Sequence, residues 1–199
     1  MANIPHLILG SSSPFRRELL ERLHIEFTCD SPSVDETPLD GETPEALSLR
    51  LSELKARAVA EKHPGCVVIG SDQVLCLDGR PLGKPHNKPN AVRQLSEMSG
   101  KTVTFHSALC VIDAEGNSQI ADVTTELVMR ELSLEAINTY LDMEEPYNCA
   151  GSAKIEKMGI TLVKEFRSSD PTAIIGLPLI KLTEMLSKAG IPVLPGLCK

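Results

Sequence analysis

Asp72 stands where a short apolar, β-branched run, Cys66-Val67-Val68-Ile69, empties into Gly70-Ser71. A buried strand ending this way delivers one carboxylate to the rim of a sheet, where it is available as an acid or base. The same residues also suit a turn in which the aspartate oxygen accepts backbone N–H groups. Other stretches supply possible partners for an acid. Ser13 is a natural helix cap and Pro14 a natural first helical residue, so Phe15, Arg16 and Arg17 fall in a first turn preceded by Gly10-Ser11-Ser12. Free N–H groups, hydroxyls and two guanidiniums there form a plausible phosphate cradle. Phe15 also lies four residues before Leu19 and could simply extend the apolar stripe.

Glu36 sits in an acidic loop, Ser33-Val34-Asp35-Glu36-Thr37-Pro38, which is ordinary solvation unless a divalent ion is held nearby. Lys55 rides the shoulder of a helix opened by Thr43-Pro44, whose buried stripe is Leu47, Leu51, Leu54 and Ala58; it is placed to aim an amine into a cleft or to snorkel to solvent. Lys84, between Gly83 and Pro85 after a hairpin turn at Asp78-Gly79, suits a fixed phosphate contact or a plain loop. No Walker motif is present: Gly10 has no such continuation, and Gly79 and Gly83-Lys84 are too closely spaced.

The elements that position these residues alternate. The spacing predicts strands at 6–9, 26–29, 66–70, 103–112, 120–129 and 159–166. Helices are expected after Ser13, Thr43, Asn87 (ending at Met98), Ser133 and Gly176-Leu177-Pro178. That pattern is an α/β fold with a mixed sheet, one continuous unit over 1–199 that has two lobes, and a poorly ordered tail over 191–199 carrying Cys198.

A net charge of −7 excludes a general nucleic-acid or anionic-membrane binder, which would collect Lys and Arg. No stretch approaches the roughly 20 apolar residues of a membrane span, and no secretory segment is recognisable, so a soluble, cytoplasmic protein is expected. The cysteines at 29, 66, 76, 110, 149 and 198 lack metal or redox spacing and read mostly as small buried residues. The scattered histidines offer no metal-binding pair.

From residue 6 to about 189 the chain resembles the Maf family of nucleoside triphosphate pyrophosphatases. The resemblance is carried by Gly-Ser-Ser-Ser-Pro-Phe-Arg-Arg-Glu-Leu-Leu at 10–20, Val-Asp-Glu at 34–36, Arg50-Leu51 through Lys55-Ala56, and Gly-Ser-Asp-Gln at 70–73. Gly-Lys-Pro at 83–85, Cys-Ala-Gly-Ser at 149–152 and Ile175 to Pro178 complete it in the same order. It implies an elongated, ITPase-like mixed sheet flanked by helices, with two lobes around a nucleotide cleft. The implied reaction cleaves a nucleoside triphosphate between its α- and β-phosphates with magnesium or manganese. By the same resemblance Asp72 is the proton acceptor and a metal contact, Glu36 the metal-linked acid, and Ser11, Arg16, Lys55 and Lys84 the phosphate pocket. A homodimer is also implied.

Phe15, Gln73 and Glu156 resemble the 7-methyl-GTP branch, since the thymidine and uridine branch typically shows Arg, Thr and Gln at those positions. An aromatic face stacks on the cationic methylated base, and a carboxylate accepts from the guanine N1–H and amino group. A housecleaning pyrophosphatase for dTTP, UTP or inosine-type triphosphates, or a protein that binds nucleotide without turnover as a regulator of septum formation, are the alternatives.

Overall fold

The computed structural model describes residues 4–196. Its centre is a seven-stranded mixed sheet with five α-helices among the described residues. In chain order these are β1 (Leu7–Gly10), α1 (Pro14–Glu21), β2 (Thr28–Cys29), α2 (Pro44–Ala60), β3 (Val67–Leu77) and β4 (Arg80–Leu82). Then follow α3 (Lys88–Met98), β5 (Thr102–Ile112), β6 (Ser118–Met129), α4 (Leu134–Glu144), β7 (Val163–Ser168) and α5 (Leu179–Lys188). The strands lie in the order β2-β1-β3-β5-β6-β7, with β4 also on β3. No helix among the described residues is long and apolar enough to cross a membrane.

Side chains alternate across β3, and each face meets different helices. Val67 and Ile69 pack with Leu19, Leu20, Leu182 and Leu186 of α1 and α5. Leu75 and Leu77, on the same face further along, pack with Leu95, Met98, Ile137 and Leu141 of α3 and α4. These are two separate apolar clusters along one face of the sheet. The opposite face carries α2, where Ala56 and Val59 cover Val68, and Leu47 and Leu51 cover Val74.

One edge of β3 decides where the cleft lies. There, β1 pairs with Val67 through Gly70, and β4 pairs with Leu75 through Leu77. Ser71, Asp72, Gln73 and Val74 therefore have no strand on that side, while β5 continues unbroken along the other edge. The Asp78-Gly79 hairpin that brings β4 back has positive φ at both residues, as a two-residue primed turn requires.

Several sequence expectations are corrected. The Asp72 strand does not end at Gly70 but runs eleven residues, with Asp72 in its interior. Gly70 is there for space: a Cβ on it would sit 2.2 Å from the Ser52 carbonyl oxygen and 2.6 Å from the Ala56 nitrogen of α2. The strand expected at 26–29 shrinks to Thr28–Cys29. That expected at 159–166 divides into a 3-10 turn, Met158–Leu162, and β7, because the N–H groups of Lys157 and Gly159 both fold back onto the Lys154 carbonyl. Of the cysteines described, only Cys110 is buried, its thiol pushed up to about 12 by desolvation; Cys29 is exposed and Cys66, Cys76 and Cys149 are half-buried. Of the expected tail, Ile191 is buried in the α1/α5 core, whereas 197–199 with Cys198 lie outside the described residues.

Candidate active site

Above the uncovered edge of β3 opens a cleft of about 940 Å³. Nine residues singled out in the sequence line it: Ser11, Phe15, Arg16, Glu36, Lys55, Asp72, Gln73, Lys84 and Glu156. The period-two alternation of β3 sends Asp72 towards α2 and Gln73 to the other face.

Asp72 is buried, and its Oδ1 accepts a 2.6 Å hydrogen bond from Lys55 Nζ. Burial pushes its carboxyl above the ordinary range; the ammonium of Lys55 and the Arg16 guanidinium pull it back, and Glu36 adds a smaller upward push. Lys55 comes from the buried face of α2, 8% exposed, so the snorkelling alternative is overturned. The same Nζ lies 2.9 Å from Glu36 Oε1, and the two acids thus face one another across a single ammonium. Glu36 is the accessible member, its side chain 59% exposed.

The loop that carries Glu36 is tied at both ends. Asp30 Oδ2 meets His63 Nε2 at 2.8 Å, and Arg50 grips Glu42 at 2.6 and 2.8 Å while donating to the Thr37 carbonyl at 3.1 Å. Arg50 was legible in the sequence only as part of a motif; its clamp on the acidic loop has no local signal, because the partners lie eight and thirteen residues away.

At the start of α1, Ser13 caps the helix by accepting from the Arg16 N–H. Buried Ser11 accepts from the Ser13 N–H at 3.2 Å and from Arg16 Nη1 at 3.4 Å. Arg16 Nε donates to the Gly176 carbonyl at 2.9 Å. Burial lowers its pKa, an effect that Asp72 and Glu36 oppose. Arg17 points elsewhere and pairs with Glu21 on the exposed side of α1, so only one of the two arginines serves the cradle. Lys84 is exposed on the opposite wall, after β4.

On the other face of β3 a loop from 170 to 178 is lashed to the sheet. Ser71 Oγ donates to the Gly176 carbonyl at 3.0 Å and Ser107 Oγ to that of Ala173 at 2.8 Å. The Gln73 amide nitrogen donates to the Ala173 and Ile174 carbonyls at 3.0 and 3.1 Å. Two carbonyls can be met only by the N–H₂ end, so the Gln73 oxygen is directed away from them. Buried Asp170 holds the loop itself, accepting from Thr172 and from the Ile180 N–H at the start of α5. In the sequence only the turn-forming pair Asp170-Pro171 hints at this.

Phe15 and Glu156 both line the cleft, and with Ile175 both also bound an adjoining cavity of about 200 Å³. Beside the aromatic ring and the exposed Glu156 carboxylate, that cavity is lined by a second acid, Glu18, and two cations, Arg22 and Lys157.

The family model for Maf-like proteins matches residues 6–189. The chain belongs to the Maf family. Among its curated relatives is a 7-methyl-GTP pyrophosphatase from Bordetella avium, 58% identical over 187 residues, which are 94% of each chain. Another 7-methyl-GTP pyrophosphatase, from Cupriavidus pinatubonensis, is 56% identical over 190 residues, 95% of the Maf chain and 96% of the relative. In fold the Maf chain is similar to a HAM1 protein from Coxiella burnetii, with a TM-score of 0.54 at 14% identity, over 93% of the Maf chain and 100% of the other.

Proposed function

We propose that this Maf chain hydrolyses 7-methyl-GTP between the α- and β-phosphates to 7-methyl-GMP and pyrophosphate. It is a nucleotide pyrophosphatase whose relatives bear that substrate in their names. The observation that carries the choice of base is that Phe15 and Glu156 line both the cleft that holds Asp72 and the smaller cavity adjoining it. An aromatic face stacks on a cationic purine with a cation–π contribution of about 0.5–2 kcal/mol. A carboxylate accepts from N1–H and the amino group of guanine, a donor pair that thymine lacks.

Asp72 takes the proton of the attacking water as its oxygen bonds to the α-phosphorus and the bond to the leaving pyrophosphate breaks. With Oδ1 held by Lys55, Oδ2 is the atom left for that water. A carboxyl raised by burial is a better base near neutrality than an ordinary one. Lys55, Arg16, Ser11 and Lys84 hold phosphate oxygens and offset the charge that develops on them. Gln73, its amide nitrogen already engaged, offers an acceptor towards the base.

The donor set suits a magnesium or manganese ion: Glu36 and Asp72 are hard oxygen ligands facing one another. Bound there with phosphate oxygens, such an ion would neutralise part of the triphosphate's charge.

The test is pyrophosphate release from 7-methyl-GTP, GTP, dTTP, UTP and ITP by the wild type and Glu156→Gln. A preference for 7-methyl-GTP that weakens in the variant is expected. Preference for dTTP or UTP would discard the choice of base while keeping the reaction, and binding without release would favour a regulator.

A further inference from the structure

Lys55 is a cation already installed between the two acids. Its Nζ contacts both carboxylates, at 2.6 Å from Asp72 and 2.9 Å from Glu36, and its side chain is 10% exposed. One buried ammonium placed this way compensates charge that would otherwise attract a metal ion, and it repels a second cation at the same point. Arg16 adds a further positive charge to the same cleft. The ligand count points the same way. Among the described residues no group of three or more His, Cys, Asp and Glu side chains is arranged to hold a metal. Magnesium and manganese favour about six oxygens, and magnesium gives up water reluctantly. Two carboxylates already engaged by a lysine fall well short of that shell. The missing anionic oxygens are those of a triphosphate.

We propose that the free protein excludes divalent metal because Lys55 occupies the cation position between Glu36 and Asp72, and that metal enters only together with nucleotide. This rests on the reading of the cleft as a nucleoside triphosphate site. The triphosphate supplies ligands to the metal and gives the Lys55 ammonium a second anion to face, so the two cations no longer compete for one pair of carboxylates. Glu36 is suited to the exchange, being the exposed acid on a loop held at Asp30 and Glu42.

Water-proton relaxation enhancement with Mn²⁺ tests this without turnover, because it separates protein-bound ion from ion on nucleotide alone. The intact wild-type chain, Lys55→Gln and Lys55→Arg are titrated with Mn²⁺ alone, and then with a 7-methyl-GTP analogue bridged by a methylene between the α- and β-phosphorus. Circular dichroism confirms that each variant is folded. The wild type should show no saturable enhancement by Mn²⁺ alone below about 1 mM, and clear enhancement with the analogue. Lys55→Gln should bind nucleotide-free Mn²⁺ at least about tenfold more tightly than the wild type, while Lys55→Arg, which keeps the charge, should not. Wild-type binding of Mn²⁺ that is equally tight with and without the analogue would overturn the proposal. So would nucleotide-free binding that is unchanged in Lys55→Gln. If no analogue binds under any condition, the nucleotide reading and the joint entry fall together, but the nucleotide-free titrations still decide whether Lys55 excludes the metal.

Discussion

Replacing Gly70 by alanine tests whether the site depends on the close approach of α2 to β3. The added Cβ would lie 2.2 Å from the Ser52 carbonyl oxygen, 2.6 Å from the Ala56 nitrogen and 2.8 Å from the Ala56 Cβ. Two of these three are backbone atoms of a seventeen-residue helix, so no side-chain rotation relieves the clash. Relief needs α2 to retreat by roughly 1 Å, loosening the Ala56 and Val59 packing on Val68. Overpacking of this kind costs about 3 kcal/mol, the upper end of its usual range. For a chain near 200 residues that lowers the melting temperature by roughly 6–12 °C. Lys55 precedes Ala56 on the same helix, so the 2.6 Å contact with Asp72 lengthens as well. A displacement of about 1 Å in a catalytic constellation costs on the order of 100-fold in turnover. Calorimetry and pyrophosphate release measure the two effects. Gly83→Ala, whose Cβ would meet nothing within 4 Å, serves as the stability control and should melt within about 1 °C of the wild type. A Gly70→Ala protein that melts and turns over like the wild type would refute the reasoning.

Three further outcomes follow from named contacts. Asp72→Asn should lose about 10²- to 10⁴-fold in turnover while still binding the methylene-bridged nucleotide, and retained turnover would remove Asp72 as the base. Asp170→Asn sets an amide against the Thr172 and Ile180 N–H groups; it should cost about 1–3 kcal/mol in urea unfolding and raise KM, because the loop it holds carries the Gly176 carbonyl that Arg16 and Ser71 grip. The Arg50 hydrogen bonds hold Glu42 at about 2 against an ordinary 4.5. A folded pKa below the unfolded one stabilises fully above pH 4.5, and the stabilisation fades as pH falls towards 2. The difference in urea midpoint between wild type and Glu42→Gln should therefore be largest near pH 6 and shrink by pH 3.

Part of the site was legible because its residue types are rare where they stand, whereas Gln73 and Glu156 were singled out only by the family resemblance. A capping Ser13-Pro14 before two arginines, a lysine on an apolar helical shoulder and a lone acid after Val-Val-Ile each break a local pattern, and all three stretches reach one cleft. Gly70-Ser71 misled for the same local reason. The pair has turn chemistry, but here Gly70 makes room for α2 and Ser71 donates to the Gly176 carbonyl more than a hundred residues away. Nothing within a window of ten residues distinguishes a glycine that bends the chain from one that admits a neighbour. The clamp of Arg50 on the acidic loop and the lashing of 170–178 to β3 were equally out of reach, because both join segments that only the sheet brings together.

The correction of β3 changes how the chemistry is divided. If Asp72 ended a strand, its direction would depend on a turn; inside one, it is fixed by alternation and by nine consecutive pairings with β5, from Val68 to Cys76. The acid then faces Lys55 while the next residue, Gln73, must face the other side and the 173–174 carbonyls. The proton transfer and base reading proposed above would thus fall to adjacent residues on opposite faces of one strand, reached from the same gap between β1 and β4. A one-residue slip of β3 would exchange the two roles and bury Asp72 against the carbonyls. The long β3–β5 ladder and the Gly70 contact with α2 oppose that slip, since only residue 70 has room to face Ser52 and Ala56. The glycine that looked like the end of the strand is what fixes its register.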